Sequence, residues 1–426
     1  MKKTIKKRKY SMRGGIPIYP GGFSCVFKPQ LKCKNKNKTL KTNGISKLLF
    51  KKYAESEMEN IRSFYNALRR VPKSHKYFLL KTTKMCSPHT ISTHDLTGFN
   101  DMCTNFTERG VNESNINKYI DTVKIINMPD AGISINEWLF NTKLTASRII
   151  VFNKLMAELI VRAIVPMNKS GVIHNDMKED NILISHSKTN PRPTIIDWGI
   201  SGISTEHHPI PEIIMDRYIS VSNPFSSIMF TTDFITSYNE FLKTHNNKLP
   251  TFQQELKAFA ISQYLKFKDI GHYSYVEKFF LAAYAHQVEG GESASAQSQI
   301  IEKTYHAYAS AYIADVLYHF TEFYDDAATA TYVYGGGTIG RFQYVKYFTQ
   351  VYIFNCDIWG TMCCYNVFFS IQSEPDVIKN IHLLKYNDFL RRLLSIFTGQ
   401  IMVNGHERIN IRTLVKSLND INKILA

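Results

Sequence analysis

The sequence predicts an α+β chain, with a small sheet and one helix over residues 16–130 and a mainly helical remainder. Three observations predict it. Apolar runs of strand length, bounded by Gly, Pro, Asn and Lys, recur as far as Met128. From Leu144 onward, apolar residues recur at helical spacing over long stretches. Between these regimes, Gly171–Ile184 and Thr194–Gly199 set polar side chains at the ends of short apolar runs.

In chain order, residues 1–15 form a basic arm: Lys2, Lys3, Lys6, Lys7, Arg8, Lys9 and Arg13 with no acid among them. Such a run is a solvated, disordered segment or a polyanion-binding one. Residues 16–30 read as two strand-like pieces around the turn at Gly21 and Gly22, where backbone N–H groups can approach phosphate oxygens. Lys32–Lys41 is a polar loop. Gly44–Phe50 reads as a strand with Lys47 pointing inward beside Ile45 and Leu49, so Lys47 needs an anionic partner. Residues 52–69 form a helix with Ala54, Met58, Ile61, Phe64, Tyr65 and Leu68 at helical spacing. Glu57 is the chosen partner of Lys47, with Glu55 and Glu59 as alternatives. Tyr77–Leu80 and Thr122–Met128 complete the sheet, and Pro129–Gly132 breaks it.

Ile135–Phe140 opens the helical part, and residues 143–169 make a long amphipathic helix that delivers the chain to Gly171. Asp176 and Asp197 each follow a short strand-like run, and Asn181 precedes another. Three oxygen-bearing side chains therefore share one rim. Asn181 and Asp197 suit a hard cation such as Mg2+. Asp176 is left to orient a hydroxyl nucleophile, and Lys178 can neutralise a phosphoryl group. A long interval then separates Gly199 from Asp357, which sits in an apolar helix and needs hydrogen-bond donors there. Beside the protein kinases that the motifs given below resemble, this interval is longer than needed, and the resemblance implies a mainly helical insertion of about 100 residues, roughly 232–345. Gly290-Gly291 is a linker-like break within it, and residues 376–425 read as closing helices.

The 426 residues carry 52 Lys+Arg against 36 Asp+Glu, a net charge of +16. That excess favours anionic ligands, ATP among them, without choosing between them. The seven cysteines are odd in number and lack a C-x-x-C pair. This argues against a zinc site or disulfide framework, and for an intracellular, reducing compartment. The most apolar window, Val351–Ile371, holds Asp357 at its middle and reads as a buried helix, with no membrane span expected.

The central stretch resembles the catalytic loop of protein kinases, H-R-D-x-x-x-x-N, followed by the D-F-G turn. His174, Asp176, Lys178, Asn181, Asp197 and Gly199 match; Asn175 stands where Arg is usual and Trp198 where Phe is usual. Gly22 and Val26 match the glycine-rich loop, while Pro20 and Ser24 replace its other glycines. Lys47 resembles the V-A-I-K lysine, Ile210-Pro211-Glu212 the A-P-E end of an activation segment, and Asp357-Ile358-Trp359-Gly360 the D-x-W-x-x-G helix. With Gly22–Pro29, Leu31–Cys33, Ile45–Leu48 and Pro224–Ser227, the chain looks like the divergent serine/threonine kinases of large nucleocytoplasmic DNA viruses.

The resemblance implies a bilobal kinase-like fold: a small antiparallel-sheet lobe at 16–130, and a helical lobe at 131–426 carrying the insertion. It implies ATP and Mg2+ as cofactors. Gly21, Gly22, Val26, Lys47 and Glu57 would serve the phosphates, with Ile126, Asn127 and Met128 in the adenine-binding hinge. Asn181 and Asp197 would hold the metal, Asp176 would act as base, and Lys178 would steady the phosphoryl group. Viral or host proteins are the implied substrates, and host cytoplasm or virion the implied location. A scaffolding pseudokinase, a small-molecule phosphotransferase and a nucleic-acid binder are the rival readings. Asn175 cannot form the ion pair that Arg makes with a phosphorylated activation loop, so activity is expected without that phosphorylation.

Overall fold

The computed structural model describes residues 15–20, 24–35, 44–247, 249–267, 294–325, 338–370 and 383–426. The basic arm up to residue 14, Gly21, Gly22 and the Gly290-Gly291 break lie outside them. The chain divides into two compact units, Met1–Asn66 with Phe78–Gly132, and Ala67–Tyr77 with Ile133–Ala426.

The first unit is built on a five-stranded antiparallel sheet. Its strands are β1 (Ile16–Pro20), β2 (Cys25–Lys28), β3 (Gly44–Phe50), β4 (Lys84–Cys86) and β5 (Val123–Pro129), in the order β1-β2-β3-β5-β4. Register sorts the residues between its two faces, because side chains directly opposite in antiparallel strands share a face. Cys25, Leu48, Ile125 and Cys86 form one row. That row is buried under Phe99, Phe106, Val111 and Ile116 from the segment between β4 and β5. Val26, Lys47, Ile126 and Met85 form the row on the opposite face. Helix α1 (Lys51–Leu68) follows β3 directly, and its Ala54, Met58, Ile61, Phe64 and Leu68 are all buried.

Three expectations change here. Tyr77–Leu80 has a turn residue, one isolated bridge residue at Phe78, and then a 3-10 helix at Leu80–Thr82, and the strand falls later, at β4. The run is apolar because Tyr77, Phe78 and Leu80 are buried, and burial alone does not impose a strand. Ile126 and Asn127 are interior strand residues, paired with β3 on one side and β4 on the other. Their peptide groups belong to the ladder, and the Asn127 side chain points to the core face, where it accepts from the Ser46 hydroxyl. Met128, by contrast, pairs with β3 alone. Finally, Cys25–Cys103 and Cys33–Cys86 are disulfides, and only Cys356, Cys363 and Cys364 are free thiols. Both bridges fasten the covering segment and its flanks to the sheet, and with them the cysteine argument for a reducing compartment lapses.

The second unit is mainly helical. Among the described residues it holds three small antiparallel sheets, two of them before residue 204. One joins β6 (Ile133–Ser134), β8 (Ile182–Ile184) and β9 (Pro193–Ile195); the other joins β7 (Val172–Ile173) and β10 (Gly202–Ile203). Helix α2 (Ile135–Phe140) is capped by Ser134, whose Oγ accepts from the Glu137 N–H. Helix α3 (Ala146–Leu159) is capped by Thr145 and runs through a π turn to Lys169. The span 232–345, expected to be mainly helical, holds α4 (Thr232–Thr244), α5 (Phe252–Lys266) and α6 (Ala294–Phe320), and then an unexpected hairpin, β11 (Thr321–Asp325) with β12 (Thr338–Phe342). It shares the core of the unit, since Tyr264 and Tyr312 pack edge-on against Phe225, which packs on Trp359. Helices α7 (Ile353–Cys363), α8 (Leu383–Ile396) and α9 (Ile411–Leu425) complete it. No described helix is long and apolar enough to cross a membrane.

Candidate active site

The polar loop between β7 and β8 is organised from beneath by Asp357. This side chain is fully buried in α7. Its Oδ2 accepts from the His174 N–H at 2.9 Å and from Asn168 Nδ2 at 2.7 Å, and its Oδ1 accepts from the Asn175 N–H at 2.8 Å. Burial pushes the carboxyl up from its ordinary pKa, opposed by His174 and these donors. Gly360 permits the close approach: a Cβ there would lie 2.6 Å from the Met177 carbonyl oxygen. His174 is also buried; its Nε2 lies 2.9 Å from the Ile196 carbonyl oxygen, and its ring meets Trp198 edge-on.

Held on this base, Asp176 is gripped by two donors. Lys178 Nζ donates to its Oδ2 at 2.9 Å and Asn181 Nδ2 to the same oxygen at 2.8 Å. Asn181 Nδ2 also donates to the Asp176 carbonyl oxygen at 2.9 Å. Burial lowers the Lys178 pKa, but the Asp176 hydrogen bond and charge, with Asp197 and Asp180 behind them, raise it overall. Lys178 is thus a firmly cationic group beside a carboxylate. Because Asn181 commits its amide nitrogen to Asp176, its Oδ1 is the atom it has for a cation. Asp197 is exposed at the end of β9, with φ of +61°, a left-handed conformation that Asp tolerates better than most residues. The Ile196 N–H donates to the Asn181 carbonyl oxygen at 3.0 Å, so the backbones supporting Asn181 and Asp197 are tied together.

In the first unit, Lys47 Nζ meets Glu57 Oε1 at 2.8 Å, both side chains largely shielded from solvent. The structure therefore pairs Lys47 with Glu57 rather than with Glu55 or Glu59. Val26 and Ile126 flank Lys47 in the register.

Four supporting residues escaped the sequence reading. Asn168 reaches both Asp357 and the Val172 carbonyl oxygen; a buried amide in an apolar helix was the available signal. Ser201 donates to the His174 carbonyl oxygen at 3.0 Å. Asn223 Nδ2 donates to the backbone and side-chain oxygens of Asn175 at 3.2 and 3.1 Å, and the Cys356 thiol points at the same Oδ1. These contacts hold Asn175 at φ of +64°. Nothing local in the sequence links Asn223 or Cys356 to position 175.

No protein family matches this sequence, and no curated protein does. Among solved structures, the chain is similar to the kinase PK-1 of the Cydia pomonella granulovirus. The two are 13% identical over 50% of this chain and 62% of that one, with a TM-score of 0.27. The chain thus spans less than two thirds of that kinase.

Proposed function

We propose that this protein transfers the γ-phosphoryl group of ATP to serine or threonine hydroxyls of protein substrates, viral or host, as a kinase-like enzyme. The observation that carries the reading is the Asp176 carboxylate held between Lys178 and Asn181 on a loop anchored by Asp357. With Oδ2 committed to two donors, Oδ1 takes the proton of the attacking hydroxyl. The hydroxyl oxygen bonds to the γ-phosphorus as the bond to the β–γ bridging oxygen breaks, and ADP leaves. Lys178 balances charge on the moving phosphoryl group. The oxygens of Asn181 and Asp197 fit Mg2+, which would neutralise phosphate charge there. Lys47, braced by Glu57, is the phosphate-binding lysine; Val26, Ile126 and Met128 serve the nucleotide by side chain. Gly21 and Gly22 retain their proposed phosphate role from sequence alone.

Asn175 deepens the reading. Its left-handed conformation is secured by the neutral groups of Asn223 and Cys356, so the loop is held without a phosphorylated partner. Activity should survive phosphatase treatment.

The test is transfer of radiolabelled phosphate from ATP and Mg2+ to casein and histone, with sugars, aminoglycosides and lipids as parallel acceptors. Asp176→Asn should lower transfer by roughly 100-fold or more, and the product should be phosphoserine or phosphothreonine. Transfer only to small molecules would replace the substrate class. No transfer by a folded wild type would leave a scaffold, and a variant as active as wild type would remove Asp176 from the chemistry.

A further inference from the structure

We propose a binding site for a divalent transition metal of the Zn2+ class in the second unit, built from Asp315, His319 and His406. None of the three belongs to the phosphotransfer machinery, and the inference does not depend on it. Asp315 and His319 are four residues apart on α6, which places both on one helix face. His406 arrives from the loop between α8 and α9. One ligand atom from each residue lies within 4.8 Å of the other two.

The backbone brings His406 close by specific means. Asn404 adopts φ of +51°, turning the chain, and Gly405 then lies against α6. A Cβ on Gly405 would sit 2.7 Å from the Tyr312 carbonyl oxygen, so only glycine lets the loop approach this far. Beyond the histidine, buried Asn355 fastens the loop. Its Nδ2 donates to the Glu407 carbonyl oxygen at 2.8 Å, and its Oδ1 accepts from the Ile409 N–H at 2.9 Å. His406 is thus delivered on a pinned turn.

The side chains are arranged around one carboxylate. His406 Nδ1 lies 2.6 Å from Asp315 Oδ2, and His319 Nδ1 lies 3.3 Å from Asp315 Oδ1. The imidazoles stack face to face with centroids 3.6 Å apart. His319 Nδ1 also sits 2.9 Å from the Asp315 carbonyl oxygen. A ring N–H donated to a backbone carbonyl orients the other nitrogen for a metal. Two imidazole nitrogens and a carboxylate oxygen form a borderline donor set, suited to Zn2+ and poorly suited to Mg2+ or Ca2+. Uptake exchanges the His406–Asp315 hydrogen bond for two bonds to the ion, the ring proton of His406 moving from Nδ1 to Nε2. Asp315 and His319 also line a cavity of about 610 Å3 with Tyr318, Met402 and Asn404. That cavity gives the ion a route in and leaves water a fourth position. Bound there, the ion staples the 402–410 turn to α6.

The experiment uses the full chain stripped with EDTA and then titrated with Zn2+ by calorimetry. Co2+ serves as a second probe, read by its visible absorption. The expected result is one equivalent bound, a tetrahedral-type Co2+ spectrum and a raised melting temperature. His406→Ala and the exposed-site variant His319→Gln should each weaken binding by roughly 100-fold, with metal-free melting temperatures near wild type. His319→Gln carries the comparison should His406→Ala fail to fold. Asp197→Asn should bind Zn2+ as wild type does. Failure of the wild type to bind a stoichiometric ion, or binding as tight as wild type in both histidine variants, would overturn the proposal. Loss of binding in Asp197→Asn alone would move the ion to the phosphotransfer loop and overturn it equally.

Discussion

Replacing Asp357 is the sharpest test of how the polar loop is built. The carboxylate is fully buried and receives three donors, the backbone N–H groups of His174 and Asn175 and the amide of Asn168. Asp357→Ala strands all three, at about 1–3 kcal/mol for each unsatisfied buried donor. Relief of the carboxylate's own desolvation offsets part of this. The net loss is about 3–5 kcal/mol. Asp357→Asn retains one oxygen for the His174 and Asn168 donors but turns an NH2 toward the Asn175 N–H, so it should cost only about 1–2 kcal/mol. All three tryptophans, Trp138, Trp198 and Trp359, lie in the second unit, so their fluorescence during urea unfolding follows that unit. Amide exchange at positions 174 and 175 should quicken in the same rank order. Equal losses for the two variants, or an alanine variant within about 0.5 kcal/mol of wild type, would refute the anchoring argument.

Glu57→Gln should change stability by less than about 1 kcal/mol, because the pair it breaks is only partly buried. Under the proposed function it should still slow phosphate transfer by about tenfold or more, equivalent to ~1.4 kcal/mol in the barrier; an unchanged rate would detach Lys47 from the nucleotide. Tyr77 donates to Glu158 at 2.8 Å, and burial, reinforced by that bond and charge, pushes its hydroxyl up to about 12. The folded state keeps this proton longer than the unfolded chain, so the stabilisation is whole below the ordinary tyrosine pKa and is lost as pH rises through about 12. Tyr77→Phe should abolish that part of the alkaline dependence and one late phenolate transition in the ultraviolet. Denatured without reductant, the chain should titrate three thiols, and after reduction all seven; seven at the outset would dissolve both bridges.

The polar loop was legible because its residues break a simple rule. Asp176, Asn181 and Asp197 are polar groups at strand ends, and Asp357 is a charge in an apolar helix. Each needs a partner, and such needs show in a linear pattern. Lys47 was legible for the same reason, being an inward cation on a strand. The sheet followed from apolar runs, but Tyr77–Leu80 shows the limit: buried aromatic residues look alike in a turn and in a strand. The pairing of Ile126 and Asn127 on both edges was not legible, because it depends on where β4 falls, and β4 is only three residues long. The disulfides were hidden because the bridged cysteines stand 78 and 53 residues apart. Contacts of that range, like Asn223 with Asn175, are products of the fold and leave no local period.

The short segment Ala67–Tyr77 has a practical consequence for anyone cutting this protein into pieces. It belongs to the second unit although the chain returns to the first before Ile133. Its Tyr77 carbonyl oxygen accepts from the Ile195 N–H at 2.8 Å, and its hydroxyl holds Glu158. A fragment starting at Ile133 would leave that strand N–H unmatched beside Asp197. Recombinant boundaries drawn at the apparent junction would therefore damage β9 at the base of Asp197, and the behaviour of such a fragment would say nothing about the whole chain. Supplying residues 67–77 as a separate peptide, or grafting them ahead of Ile133 through a linker, is the rational repair.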